Sequence, residues 1–287
     1  MINSDTIDKF IEFVLDQSKE SSPRSYISIK NAINAFSIPL IYLTIPKGTS
    51  LFRVRVHEPT TKEYSWINDI SFIQDSQKIL HFGRANEPLQ SVFYCSTLRE
   101  TAFFEVSNVA RQMTNSEIEI STIGEWILKN EIIVATLPIN KNIVGKNVFN
   151  DHLSIHIKDI LEKFQGKDTK VLKKVLDFFS LEFTKEVFNK DIEYMISCAF
   201  ANYIFDHIGY DIESLKTFEL SGIIYPSVQY SAIGMNLALK SSVIKNKSLI
   251  LSSVAKQKLE RINEKKYIET DTLIAKKINR KTSQIFW

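Results

Sequence analysis

The run Leu51-Phe52-Arg53-Val54-Arg55-Val56 constrains the chain more than any other stretch. It alternates with a period of two, so it must be a strand with one apolar face. Phe52, Val54 and Val56 face one way, and Arg53 and Arg55 face the other. The run follows a turn signal, Pro46-Lys47-Gly48-Thr49. An apolar strand face needs a cover, and segments with helical spacing supply one. Residues 5–18 put Ile7, Phe10, Ile11 and Val14 on one stripe. A second helical pattern spans 26–36, beyond Ser21-Ser22-Pro23. A third spans 192–207, with Ile192, Ile196, Ala199 and Tyr203 in register and Gly209 as its expected stop. Further strands are expected at Ser91–Cys95, Ile132–Leu137, Phe218–Tyr225 and Asn236–Leu239. This mixture of periods reads as an α+β protein. Glycine is scarce, 8 residues against 19 phenylalanines. No GxGxxG and no GxxxxGK[ST] occurs, which argues against a Rossmann or P-loop nucleotide site.

A chain of 287 residues can hold one large domain or two small ones. A net charge of +3 is too small to argue for nucleic acid. From Lys256 onward there are nine Lys or Arg against four Asp or Glu. That excess reads as a solvated helix with a loose tail, and nucleic acid ranks last among the partners. Cys95 and Cys198 form no CxxC pattern and sit among apolar residues, as buried thiols in a reducing compartment do. The first residues carry acids through their apolar run and lack a cationic start, so they read as an amphipathic helix rather than a signal peptide. No stretch of about 18 apolar residues suggests a membrane span. A cytoplasmic protein is expected.

Glu105 is the most informative single residue. Thr97-Leu98-Arg99-Glu100 matches a capping box, and the helix it opens should run to about Gln112. On that helix Leu98, Thr101, Ala102, Glu105 and Val109 share one stripe, so a carboxylate stands where an apolar side chain belongs. Such a group must reach water, pair with an arginine, or line a polar cleft. Arg53 and Arg55 on their strand face, and Arg84 in the loop Gly83-Arg84-Ala85-Asn86-Glu87-Pro88, suit phosphate recognition by the guanidinium fork. Surface ion pairing is the plainer reading of each alone. Tyr94 could stack on a flat ring or belong to the core. Ser227, after Pro226, could bond a substrate or cap a turn. His152 and His156 have metal-ligand spacing on a helix pattern but no third ligand, and no metal is expected.

Taken in order, these segments resemble the RES-domain family, named for an Arg, a Glu and a Ser. Leu51-Phe52-Arg53 is similar to its early strand, and Gly83-Arg84-Ala85-Asn86 to its second arginine motif. Val92-Phe93-Tyr94-Cys95-Ser96 resembles its YxS strand, and Thr101-Ala102-Phe103-Phe104-Glu105 its ALxE helix. Ser221-Gly222-Ile223-Ile224-Tyr225-Pro226-Ser227 resembles its DGIxYPS strand, and Asn236 also fits. The resemblance covers roughly 51–110 and 192–240. It implies an ADP-ribosyltransferase-like fold, a split mixed β core surrounded by helices. Residues 46–245 would be the catalytic domain, with 113–190 as a helical insertion. Residues 1–45 would be an N-terminal helical extension and 246–287 a basic C-terminal one.

The implied activity is cleavage of NAD+ at the nicotinamide–ribose bond, as a phosphorylase using inorganic phosphate or as a glycohydrolase. Glu105, Arg53 and Ser227 would be catalytic, and Arg84, Tyr94, Asn86 and Tyr225 would bind the dinucleotide. A toxin role, with a neutralising antitoxin as partner, is implied too. An ADP-ribosyl transfer to a protein and a non-catalytic binding module are the alternatives. A homo-oligomer through the N-terminal helices is a further expectation.

Overall fold

The structure is a computed structural model. It describes residues 4–36, 38–58, 63–111, 118–137, 155, 158–159, 167–187, 190–211, 216–229, 234–263 and 266–287. The chain is α+β and forms two compact units, each assembled from three separate segments. Unit 1 contains residues 1–44, 75–90 and 133–233, and unit 2 contains residues 45–74, 91–132 and 234–287. No helix among the described residues is long and apolar enough to cross a membrane.

Unit 1 is built from helices around three adjoining strands. Helices α1 (Ser4–Gln17) and α2 (Pro23–Phe36) follow the expected spacing, and their stripes are buried: Ile7, Phe10 and Val14 on one, Tyr26, Ile29 and Ile33 on the other. They belong to this unit and are not an appendage to it. Helices α4 (Lys167–Thr184) and α6 (Met195–Asp206), with the one-turn α5 (Lys190–Glu193) between them, complete the bundle. Every α6 residue from Met195 to Asn202 is buried, so α6 is the unit's central helix. Phe179 of α4 stacks on its Phe200, ring centroids 3.9 Å apart. Strands β1 (Ile41–Ile45), β5 (Ile132–Thr136) and β8 (Gly222–Pro226) adjoin in that order, β5 and β8 running parallel. Gly209 does not end α6, which closes at His207. It lies instead in β6 (Ile208–Asp211), paired with β7 (Lys216–Glu219). A Cβ at Gly209 would stand 2.2 Å from the Phe218 ring, and this close approach is what the glycine serves.

Unit 2 is a sheet whose described strand pairs are all antiparallel. Its order is β9 (Met235–Lys240), β3 (Val92–Ser96), β2 (Ser50–Val56), β4 (Ile118–Leu128), β10 (Leu249–Asn263) and β11 (Lys266–Ile274). The basic C-terminal stretch is therefore sheet and not the expected helix with a loose tail. A register shift between Leu251 and Ser253 breaks the alternation of β10, which hides the strand from a period-two reading. Strand β4 is hidden differently: Ser121, Thr122, Ile123 and Gly124 are buried in succession because both sheet faces are covered.

One face carries Phe52, Val54 and Ile123 and is covered by α3 (Arg99–Val106) through Ala102, Phe103 and Val106. The other carries Leu51, Arg53, Phe93 and Trp126. There Leu51 lies opposite Trp126 in the register, and the Trp126 ring meets Phe93 edge-on at 5.0 Å. The short α7 (Ser241–Lys245) links β9 to β10. The ribbon of β12 (Lys277–Asn279) and β13 (Gln284–Phe286) bonds back to Ser65 through the Ile285 amide.

Candidate functional site

Of the candidate residues, Glu105, Arg53 and Tyr94 belong to unit 2, and Arg84, Asn86, Tyr225 and Ser227 to unit 1.

In unit 2 the helix that carries Glu105 is shorter than its spacing predicts. It begins after Leu98, the N-cap, whose side chain makes no capping bond. The expected capping box does not form, because the Thr97 hydroxyl bonds to β9: it accepts from the Met235 amide at 3.2 Å and donates to the Met235 carbonyl at 3.4 Å. The helix stops at Val106, and Ser107 is its C-cap. Thr101 and Ala102 are buried, as the stripe requires, while Leu98 is exposed.

Glu105 is half-buried in the last turn of α3. The helix dipole opposes a negative charge there, so a donor is needed. Asn236 provides one, its Nδ2 donating to Glu105 Oε1 at 2.7 Å. The Ser96 hydroxyl in turn donates to Asn236 Oδ1 at 2.7 Å. Ser96 and Asn236 face each other directly in the β3–β9 register, and both are buried. Tyr94, two residues from Ser96, shares their sheet face.

Arg53 leaves β2 on the opposite face. Its guanidinium lies over the Phe93 ring, 5.4 Å from the centroid. Nε donates to the Ser71 carbonyl at 3.1 Å and Nη1 to the Tyr94 carbonyl at 2.7 Å. Strands β2 and β3 share a single register pair, Phe52 with Ser96, so Arg53 bridges them where the ladder ends. Burial first, then the neighbouring Arg55, lowers the Arg53 guanidinium to about 10, still cationic at neutral pH. Arg55 donates to the Asp69 carbonyl and lies over Tyr64 at 5.3 Å. Both arginines keep the shared face expected for them, and both spend donors on backbone carbonyls. Arg53 and Glu105 do not converge, because the sheet lies between them.

In unit 1 Arg84 closes the C-terminal end of α4. Nη1 donates to the Phe183 carbonyl at 2.7 Å and, at the limit of range, to the Glu182 carbonyl at 3.4 Å. Nη2 donates to the Lys185 carbonyl at 3.2 Å. These are carbonyls a helix leaves unsatisfied, and a cation suits the negative end of the dipole. The ring of Tyr194 lies 5.0 Å beneath the guanidinium. The loop is tied by the Gly83 amide donating to the Asn86 carbonyl at 2.8 Å, and Asn86 Nδ2 donates to the Glu87 carbonyl at 3.1 Å. Tyr225 is buried with its ring 5.2 Å from Phe183, and Ser227 is fully buried.

His152 and His156 lie outside the described residues, among which no group of three His, Cys, Asp or Glu side chains could hold a metal ion. Burial pushes the Cys198 thiol up to about 12 and the Cys95 thiol well above its usual range, so neither is a ready nucleophile. Sequence reasoning gave Ser96 and Asn236 no role of their own. The signals were one polar residue in each of two apolar strand runs and their place in the resemblance, Ser96 closing the YxS-like strand and Asn236 fitting the family pattern. No family model, curated protein or solved structure matches the chain.

Proposed function

We propose that this chain cleaves NAD+ at the bond between nicotinamide and ribose, with Glu105 as the catalytic carboxylate. The observation that supports the reading best is the grouping of Glu105, Asn236, Ser96 and Tyr94 on one face of the unit 2 sheet. The resemblance to RES domains around these residues supplies the substrate. As the bond between nicotinamide nitrogen and the ribose anomeric carbon breaks, its electron pair leaves with nicotinamide and positive charge builds on the sugar. A fixed carboxylate beside that sugar lowers the barrier, because the charge it stabilises exists only as the bond breaks. An oxygen of phosphate, water or a protein side chain then bonds to the anomeric carbon and loses its proton to solvent. Tyr94 would lie against the nicotinamide or the ribose.

Arg53 serves this reading as a brace, since its bond to the Tyr94 carbonyl ties β2 to the strand that carries Tyr94 and Ser96. Arg84 braces the end of α4 in unit 1. Ser227, Tyr225 and Asn86 enter through the resemblance alone, as does a toxin neutralised by a partner protein.

The test is to identify what becomes of the ribosyl half. Purified protein is incubated with NAD+, with and without inorganic phosphate, and the products are separated. ADP-ribose carrying a new phosphate marks a phosphorylase, and free ADP-ribose marks a glycohydrolase. Label fixed to protein marks a transferase. Intact NAD+ under every condition would refute the reading.

A further inference from the structure

We infer that Ser96 is a positioning residue for Glu105, acting through Asn236. The inference rests on the reading of Glu105 as a catalytic carboxylate and adds a regulator of its geometry. A carboxylate only accepts hydrogen bonds, so the Asn236 side chain must turn its NH2 toward Glu105. Its carbonyl then points the other way, to the Ser96 hydroxyl at 2.7 Å, and that hydroxyl must donate. The polarity of the chain is thus set from one end to the other. Remove the Ser96 hydroxyl and the amide loses what holds its orientation. A flipped amide would present its oxygen to the carboxylate and repel it.

The position is also enforced mechanically. Ser96 pairs with Phe52 on one side and with Asn236 on the other, so it stands between two neighbouring strands of the sheet. It is 2 % exposed and Asn236 5 %, so water cannot readily replace either bond. Glu105 itself sits in the last turn of α3, an eight-residue helix without a side-chain cap, whose Phe103 and Val106 pack on the sheet. The buried Ser96–Asn236 pair gives that turn a fixed point on the sheet. Hydrogen bonds of this kind decide where a reacting group stands, and an ångström of drift costs rate rather than binding.

Two measurements decide the matter. The first is nicotinamide release by Ser96→Ala and Ser96→Thr, with thermal unfolding as a check on the fold. Ser96→Ala should lower kcat about tenfold with KM within about twofold of the parent, and Ser96→Thr, which restores a hydroxyl, should recover most of the rate. Equal kcat in all three proteins, or a change confined to KM, would overturn the inference. The second measurement does not depend on turnover: the side-chain NH2 signals of Asn236 in a 15N-asparagine-labelled sample. They should move in both Ser96→Ala and Glu105→Gln, reporting one connected chain. If they ignore Ser96→Ala, the relay does not exist, whatever the activity. If the parent releases no nicotinamide yet the signals move in both variants, the relay stands and the NAD+ reading alone fails.

Discussion

Arg84 donates a hydrogen bond to the Phe183 carbonyl at 2.7 Å, across 99 residues of sequence, and so ends α4 with a side chain from a distant loop. An arginine that the motif pattern offers to a phosphate is occupied with closing a helix. Arg84→Ala leaves the Phe183 and Lys185 carbonyls without this donor. It should destabilise the protein by about 1–3 kcal/mol in urea unfolding, the usual loss for hydrogen bonds from a charged group. Arg84→Lys should recover only part, since one ammonium cannot reproduce the fork. An Arg84→Ala protein as stable as the parent would remove the bracing role.

Arg53 makes a parallel case in unit 2. Its two carbonyl bonds and its ring contact hold β2 against β3 where only one register pair joins them. Arg53→Lys retains a charge but loses the planar fork, and should cost about 1–3 kcal/mol. Amide hydrogen exchange should quicken first in β3 around Tyr94. Unchanged exchange there would show that the bridge does not hold the strands.

The two arginines show what the residues disclosed and what they withheld. Alternation around Arg53 revealed β2, and the 3.6-residue spacing revealed α1, α2 and the face of α3 bearing Thr101 and Ala102, because each is a pattern within one element. What Arg84 and Thr97 bond to could not be read, since both partners are backbone groups on elements far along the chain. The spacing also extended α3 past Val106, because Val109 fits the stripe although the helix has already ended. Strands β4 and β10 escaped for the opposite reason: a sheet covered on both faces, and a bulge, erase the alternation that marks a strand. Glu105 was legible as a polar residue on an apolar stripe. Its link to Asn236, 131 residues on, was not.

A buried amide offers a stability test unrelated to the candidate site. Gln257 on β10 is fully buried, and neither its Nε2 nor its Oε1 has a partner among the described residues. The hydroxyl of Ser121, directly opposite on β4, likewise has no partner among the described residues. Gln257→Met keeps the shape and removes both unmet groups. It should stabilise the protein by about 1–2 kcal/mol, read as a higher urea midpoint. A lower midpoint would mean that buried water already satisfies the pair.

The thiols give a pH dependence with a definite sign. Burial raises Cys198 from the usual 9.0 to about 12, so the folded state favours the neutral thiol. Between those values the unfolded chain gives up its proton first and binds fewer protons than the folded one. The contribution is therefore fully present below about pH 9 and is lost as pH rises toward 12. Cys198→Ala should flatten the fall in stability between pH 9.0 and about pH 12, the window between the unfolded and folded thiol values. Burial also shields both sulfurs from reagents. Cys95 and Cys198 should label slowly with a thiol reagent in the native protein and react promptly once the chain is unfolded. Rapid labelling of the native protein would contradict the burial of both thiols.

The most direct test of the central claim is the rate of nicotinamide release from NAD+ by the parent protein and by Glu105→Gln, measured side by side on folded samples. The account predicts release by the parent and a fall of at least about a hundredfold in the variant, with its unfolding midpoint little changed. A Glu105→Gln protein that releases nicotinamide at the parent's rate would contradict it.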